Sequence, residues 1–185
     1  MIVELKEYGL YLGILTVRGI YVEDPELLIR RLRRNFSGLE VQVLNVKNLA
    51  GFKHILVSVL TALEAINHKL NITKSLSMEV LVRASAQRQI SEAINILGIK
   101  KGVCDAAFIV IGDKSEKVEE ALNALIRSYG DRVDEHLLEE DRSSQIIEAY
   151  GISEEEFKAE NEYSKDRWEA IKNLIAEKVA LTLTL

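Results

Sequence analysis

Cysteine, proline and aromatic residues are scarce in this 185-residue sequence. The single cysteine, Cys104, excludes an intramolecular disulfide, and its position at the start of an apolar run favours a buried structural thiol over a nucleophile. One proline and no stretch rich in serine or glycine leave no candidate linker. We therefore expect one domain over residues 1 to 185, because a chain of this length buries one sizeable core.

Long hydrophobic runs are also missing. The longest uncharged apolar runs, such as Ala106 to Ile111, fall far below the roughly 20 residues that a membrane-spanning helix needs. Met1 leads directly into mixed sequence without the pattern of a signal peptide. These absences predict a cytoplasmic protein with no membrane partner.

Catalytic and metal-binding motifs are missing as well. The glycines form neither G-x-x-x-x-G-K-S/T nor G-x-G-x-x-G, so nucleotide hydrolysis is not indicated. His54 and His68 fall on one predicted helix, about 21 Å apart along its axis, and cannot bind one ion together. No G-x-S-x-G motif anchors a nucleophile. The sequence therefore predicts a protein that is not an enzyme and that requires no cofactor and no metal.

The spacing of apolar residues predicts an α/β or α+β fold, in which a small, mostly antiparallel sheet is covered by several helices. Strands are expected at residues 2 to 6, 10 to 17, 41 to 46 and 105 to 111. Helices are expected after Asp24, over residues 52 to 66, 75 to 85 and 90 to 97, after Asp113, over 135 to 150, after Ser153 and from about residue 164. Asp24 should cap its helix, and Asp113 with Glu116 and Ser153 with Glu156 should form capping boxes.

Charge is distributed unevenly along this chain, whose net charge is −5. Residues 47 to 101 carry eight lysines and arginines against three glutamates, a net charge of +5. Residues 113 to 169 carry eight bases against eighteen acids. The basic middle indicates an anionic partner, whereas the acids of the second half lie on predicted amphipathic helices and indicate a solvated face.

The basic middle contains the run KSLSMEVLVRASAQRQI, from Lys74 to Ile90, which places polar groups around a helical apolar pattern. Residues three or four apart share a helix face, so Arg83 and Gln87 are expected to project together. Free N–H groups at the start of the helix favour an anion near Lys74 and Ser77. The run therefore suits a short single-stranded nucleic acid. The alternative is that these bases are ordinary solvated residues and that the glutamines join two helices.

The same run, continued as SEAINILGI and followed by an apolar strand and an acidic helical region, resembles the smallest subunit of the KEOPS (EKC) complex. The human member of that family is the PRPK-binding protein. The resemblance covers most of the chain, and the QRQI stretch is typical of archaeal members. It implies a non-catalytic subunit that binds the KEOPS kinase/ATPase directly and, indirectly, the transferase that makes N6-threonylcarbamoyladenosine in tRNA. Archaeal members are associated with the single-stranded 3′ CCA end of tRNA.

The run and the resemblance together predict a nucleic-acid-binding site. Its residues are Lys74, Ser75, Ser77, Arg83, Gln87, Arg88 and Gln89. These groups can bind phosphates and base edges, but they include no aromatic ring. Stacking of bases would therefore use arginine planes or the aliphatic surfaces of Met78 or Ile90.

The terminal helix is the expected kinase-binding surface, and its candidate residues are Trp168, Ile171, Leu174, Ile175 and Leu181. Core packing of this apolar face is the alternative. The alternating Leu181, Leu183 and Leu185 indicate either an edge strand or a partner. The arginines between Arg30 and Arg34 could extend an RNA-binding surface or form a solvated helix face.

The resulting prediction is a tRNA-recruiting, kinase-binding subunit of an archaeal KEOPS complex. The competing hypothesis is a protein-only allosteric regulator of the kinase that does not touch RNA. An enzyme acting on a small metabolite is the third possibility, and it would require a deep pocket.

Overall fold

A computed structural model describes residues 1 to 184 of the chain. Within these residues lie eight α-helices and one sheet of four strands, in which every pair of neighbours is antiparallel. The predicted α+β fold with a small, mostly antiparallel sheet is therefore confirmed. The chain divides into two compact units, each built from two segments, and each is described by itself. One domain over residues 1 to 185 stays a prediction.

The sheet unit comprises Met1–Val46 and Gly98–Leu137. Its strands are β1 (Ile2–Leu5), β2 (Leu10–Val22), β3 (Glu40–Asn45) and β4 (Gly102–Gly112), in the order β1-β2-β4-β3. The hairpin of β1 and β2 is confirmed, and the apolar run Ala106 to Ile111 lies in the buried part of β4. Strand β2 runs five residues beyond the predicted end at Val17, because a bulge before Ile20 lets it continue. Gly19 has φ +60° in this bulge and donates its N–H to Oδ1 of Asp105 at 2.8 Å.

Two helices of the sheet unit, α1 (Pro25–Asn35) and α5 (Ser115–Tyr129), pack against the strands. The predicted cap of α1 is confirmed, since Oδ1 of Asp24 accepts the N–H of Leu27 at 3.0 Å. The capping box at Asp113 is wrong, because α5 begins one residue after Lys114, whose side chain makes no capping hydrogen bond. Buried aliphatic residues from β2, β3 and β4 form the core with Phe108 and with α1 and α5.

The helical unit comprises Lys47–Leu97 and the residues from Leu138 onward. Its helices are α2 (Gly51–Asn67), α3 (Leu76–Ala84), α4 (Ile90–Leu97), α6 (Ser143–Tyr150), α7 (Glu154–Asn161) and α8 (Arg167–Leu181). Helix α2 packs against α3 and α8, and α7 packs against α8. The helix predicted over residues 135 to 150 begins only at Ser143, because turns occupy the preceding residues.

The ends of the last two helices follow the sequence closely. The capping box of α7 is confirmed: Oγ of Ser153 accepts the N–H of Glu156 at 3.1 Å, and Oε2 of Glu156 accepts the N–H of Ser153 at 2.7 Å. Helix α8 begins at Arg167, three residues later than expected, with Asp166 as its cap. None of the helices within residues 1 to 184 is long and apolar enough to cross a membrane.

The chain beyond α8 forms turns up to Thr184. The N–H groups of Thr182, Leu183 and Thr184 each donate to a carbonyl three residues earlier. The expected edge strand is therefore wrong for these residues, and Leu185 lies outside the described residues.

Candidate nucleic-acid interface

The predicted site lies around α3, in the helical unit, and its serines serve mainly to begin that helix. Ser75 is the N-cap, and its Oγ accepts the N–H of Met78 at 3.3 Å. Ser77 is buried, with its Oγ 3.5 Å from Oγ of Ser75. Lys74, immediately before the cap, is exposed. The start of α3 therefore presents the cation of Lys74, while Ser77 is turned inward.

Arg83 does not project outward with Gln87, and this prediction is wrong. The Arg83 side chain is 2% exposed, and its Nε donates to Oε1 of Glu79 at 2.8 Å. Its two remaining nitrogens donate to backbone carbonyls, at 2.8 Å to Leu70 and at 2.6 Å to Thr182. The physical reason is that Arg83 lies one turn after the buried Glu79, whose charge would otherwise be uncompensated.

Glu79 completes this buried ion pair by binding the loop before α3. Its Oε2 accepts the N–H of Ile72 at 3.0 Å and both the N–H and the hydroxyl of Thr73, at 2.8 and 3.0 Å. The pair therefore fastens α3 to the loop over residues 70 to 73 and, through Arg83, to the end of α8. The signal for this ion pair in the sequence is the i,i+4 spacing of Glu79 and Arg83, which carry opposite charges.

The junction between α3 and α4 is a tight turn that exposes the predicted contacts. Ala86 has φ +53°, a left-handed conformation that reverses the chain after the C-cap Ser85. The backbone N–H of Gln87 donates to Oγ of Ser85 at 3.3 Å. Gln87 itself is half-buried. Arg88 and Gln89 follow and are exposed. Of the predicted site, the structure therefore brings Gln87, Arg88 and Gln89 together at this turn.

A network of buried polar groups binds the end of α3 at this junction. The carbonyl of Ala84, at the end of α3, is 2.8 Å from Nε2 of His54 and 3.1 Å from the hydroxyl of Tyr150. Nδ1 of His54 accepts the N–H of Ala50 at 3.1 Å, so Nε2 carries the proton and donates to Ala84. The carbonyl of Asn48 lies 3.3 Å from the same hydroxyl, whose single proton is shared between the two carbonyls.

This network requires a neutral histidine. Burial lowers the pKa of His54 to about 4, against a smaller opposing effect of the Ala84 carbonyl, and burial also raises the pKa of Tyr150. The signal in the sequence for this role is the position of His54 within an apolar helical stripe. Within residues 1 to 184, no group of three histidine, cysteine or acidic side chains is placed to hold a metal ion.

Apolar surface adjoins the exposed polar groups. Ile90 and Ile94, one turn apart on α4, are 40% and 42% exposed. The core side of this helix consists instead of Ala93 and Leu97. The helix thus keeps an aliphatic strip outside, next to Arg88 and Gln89 in the sequence.

Most of the expected kinase-binding residues are core residues. Ile171, Leu174 and Ile175 are buried in the core of the helical unit, as the alternative of core packing expects, and their role as kinase contacts stays a prediction. Trp168 is half-buried and packs against the same core. Leu181 is 48% exposed, which keeps it as a candidate contact. The residues from Trp168 to Ile175 pack inward because they recur every three or four positions on the face of α8 that meets α2, α6 and α7.

The fold and this surface define an α+β protein whose candidate site offers a cation, amides and aliphatic surface for binding. The chain belongs to the family of kinase binding protein CGI-121, whose model matches residues 21–182. It is 40% identical over 118 residues to the regulatory protein Cgi121 of Methanocaldococcus jannaschii, an alignment that covers 62% of this chain and 72% of that protein. The resemblance found in the sequence, including its archaeal type, is thereby confirmed at the level of the family.

Proposed function

We propose that this protein is a non-catalytic, kinase-binding regulatory subunit of a KEOPS complex that recruits tRNA through its single-stranded 3′ CCA end. In this role it supports synthesis of N6-threonylcarbamoyladenosine by a transferase that it reaches through the kinase. The family and the regulatory relative support kinase binding and regulation. RNA recruitment is the further step, and it depends on the surface around α3.

The observation that carries RNA recruitment is the exposed turn between α3 and α4. Arg88 and Gln89 are exposed there beside the partly exposed Ile90, and the left-handed Ala86 fixes the direction in which the chain leaves α3. A guanidinium binds phosphates and can stack on a base, and an amide can pair with a base edge. An aliphatic side chain gives an unstacked base an apolar surface. These groups suit a few unpaired nucleotides.

We divide the predicted residues into contacts and supports according to their exposure. We assign direct contacts to Lys74, Gln87, Arg88 and Gln89, which are exposed or half-buried. Ser75, Ser77 and Arg83 support α3 and its surroundings instead, because their polar groups are engaged within the helical unit.

The decisive experiment compares intact tRNA with tRNA lacking its CCA end. Both are titrated into the full chain at several salt concentrations. We expect the truncated tRNA to bind at least tenfold more weakly, since base contacts of about 1 to 3 kcal/mol each are lost. Equal binding of the two, or binding of neither, would show that the CCA end is not recognised.

A matched pair of variants locates the contact. Arg88→Ala should weaken binding of intact tRNA roughly fivefold or more and reduce the slope of log K against log salt by about 1. Arg127→Ala removes another exposed arginine, on α5 in the sheet unit. It should leave the difference in affinity between intact and truncated tRNA unchanged. Equal effects of the two substitutions would contradict the proposed site.

A protein-only allosteric regulator of the kinase is the second candidate. The burial of Arg83 favours it, because one cation of the predicted RNA site is used internally. It predicts that purified kinase binds this protein and changes activity, while tRNA does not bind the protein at all.

A further inference from the structure

The outer face of α1 carries the densest group of cations in the sequence. Four of the eleven arginines lie within five consecutive residues of this helix, and all four are exposed: Arg30, Arg31, Arg33 and Arg34. Leu28 and Leu32 lie on the opposite side and are buried in the core of the sheet unit. The amphipathic pattern of α1 therefore accounts for the leucines, but the core does not require arginine at the outer positions.

The balance of charge within α1 itself is strongly positive. Glu26 is the single acid within α1, so the helix carries four positive charges and one negative charge. Its Oε2 lies 4.0 Å from Arg30, and the two side chains are 89% and 75% exposed, so this pair contributes little to stability. Arg33 and Arg34 interact favourably with the dipole at the end of the helix, but Arg30 and Arg31 precede its last turn.

The arginines are spaced to meet a row of anions. Arg30 and Arg34 are one turn apart, about 6 Å along the axis, and their side chains share one face. A guanidinium binds phosphate through two parallel hydrogen bonds, which a lysine ammonium cannot do. Four such groups on one short helix therefore match the successive phosphates of a nucleic-acid backbone better than one isolated ion.

The polar surface continues beyond the end of α1. A cleft of about 320 Å³ lies between its last residues and α5, lined by Asn35, Ser37 and Lys117 among others. Lys117 and Glu120, both on α5, line it with opposite charges. The cleft therefore adds polar groups beyond the helix terminus but no net charge.

We propose that the outer face of α1, defined by Arg30, Arg31, Arg33 and Arg34, binds the phosphate backbone of an RNA duplex. This proposal extends the proposed function from the single-stranded end of tRNA to its double-stranded part. A duplex is favoured over a single strand because Phe36, the aromatic ring at the end of α1, is partly buried against the core of the sheet unit and offers bases little surface for stacking. RNA duplexes are recognised mainly through their phosphates, 2′-hydroxyls and shape.

The test uses two RNA probes and the full chain. One probe is a blunt-ended RNA hairpin without a 3′ overhang, and the other is a short single strand ending in CCA. Arg30→Gln combined with Arg34→Gln should weaken hairpin binding at least fivefold and make the salt slope shallower by nearly 2, because two phosphate contacts are lost. Binding of the CCA strand should stay within twofold of the unsubstituted protein.

Two further variants control for general effects. Arg31→Gln combined with Arg33→Gln should also weaken hairpin binding, whereas Arg127→Gln, an exposed arginine at the end of α5, should not. A melting temperature close to that of the parent chain verifies that each variant is folded. Hairpin binding that survives both double substitutions, or that falls equally with Arg127→Gln, would overturn the proposal.

The outcomes separate this inference from the proposed function. Loss of hairpin binding in the double variants supports the α1 surface, whether or not the CCA strand binds. If the CCA strand does not bind, only the proposed recruitment through the CCA end is overturned. A parent chain that binds the CCA strand but not the hairpin overturns the α1 surface alone. Binding of the parent chain to vesicles containing phosphatidylserine, without hairpin binding, would assign the arginines to a lipid surface and overturn it too.

Discussion

The two units of this protein differ in what they bury. Within residues 1 to 184, the buried polar or charged side chains of the sheet unit are Thr16 and Gln42 alone. The helical unit buries ten such residues: His54, Ser58, Thr61, Thr73, Ser77, Glu79, Arg83, Ser85, Arg142 and Ser143. The sheet satisfies its backbone groups through strand pairing, whereas six helices leave many terminal N–H and C=O groups unpaired. Buried polar side chains bind several of these groups.

This difference places the candidate RNA site on the polar unit. Hydrogen bonds of His54, Tyr150 and Ser85 stabilise the turn after α3. Glu79 and Arg83 hold the loop before α3 through its backbone groups. Such networks are stable only when every member is satisfied. We therefore expect substitutions in these networks to be the most damaging.

Arg83→Ala should have the largest effect on stability. It leaves the buried carboxylate of Glu79 without its cation and the carbonyls of Leu70 and Thr182 without their donor, at a cost of about 3 to 5 kcal/mol. Urea unfolding of the variant measures this loss. Arg83→Met combined with Glu79→Leu removes both charges and should recover part of it. A loss below about 1 kcal/mol for Arg83→Ala would contradict the structural role of the pair.

Acid should destabilise the helical unit through His54. The pKa of His54 is about 4 in the folded protein and about 6.5 when unfolded, so the unfolded state binds more protons between these values. Stability from this residue is complete above pH 6.5 and falls as pH decreases toward 4, by up to about 3 kcal/mol. Unfolding measured at several pH values tests this.

A variant that lacks the buried imidazole serves as the control for the acid effect. His54→Gln cannot bind this proton, so it should lose the part of the pH dependence between 6.5 and 4 that is due to His54. The pKa of Glu156 is lowered chiefly by its hydrogen bond with Lys178, so its stabilising contribution is complete above about pH 4.5 and is lost only as the pH falls from there toward about 2. A flat stability profile from pH 7 to pH 4 would contradict the proposed neutral His54 network.

Gly13→Ala tests the close packing of the sheet unit. A Cβ at this position in β2 would lie 2.6 Å from Cγ1 of Val118 on α5, so the helix or the side chain must move. We expect a loss of about 1 to 3 kcal/mol. The double variant with Val118→Ala should show a favourable coupling energy, because the clash is removed. Additive losses would indicate that the two sites are not in contact.

Ser153→Ala should have the smallest effect among these changes. It removes the Oγ that accepts the N–H of Glu156 in the capping box of α7, at a cost of about 1 kcal/mol. Ser153→Asp, which also accepts this hydrogen bond, is the matched control and should retain most of the stability. Hydrogen exchange of the first amides of α7 reports the change locally. Unchanged exchange in Ser153→Ala would show that the box does not hold this helix end.

Much of the fold follows from local patterns in the sequence. Asp24-Pro25, Ser75 and the Ser153–Glu156 pair mark helix starts because a cap depends on residues within one turn. The apolar run of β4 likewise specifies a buried strand. Two local predictions failed. Helix α5 begins after Lys114 and is not capped by Asp113. The helix predicted over residues 135 to 150 begins only at Ser143, after a stretch of turns.

The candidate site was predicted less well than the fold. Lys74, Arg88 and Gln89 are exposed as expected, because they lie outside the apolar stripes of α3 and α4. Arg83 and Ser77 were assigned to the surface, yet they are buried. Their spacing along α3 is compatible with either position, and the choice depends on which helices and loops surround α3.

Local patterns in the sequence are enough to predict the α+β fold, the basic middle of the chain and the CGI-121 family. The folded chain is needed to show that Arg83 pairs with Glu79 inside the helical unit, that His54 binds the end of α3, and that Ile90 and Ile94 remain outside. The two kinds of information differ in the distance along the chain over which they act. Capping and periodicity act within one turn, whereas the burial of a charge depends on partners such as Thr182, 99 positions away along the chain.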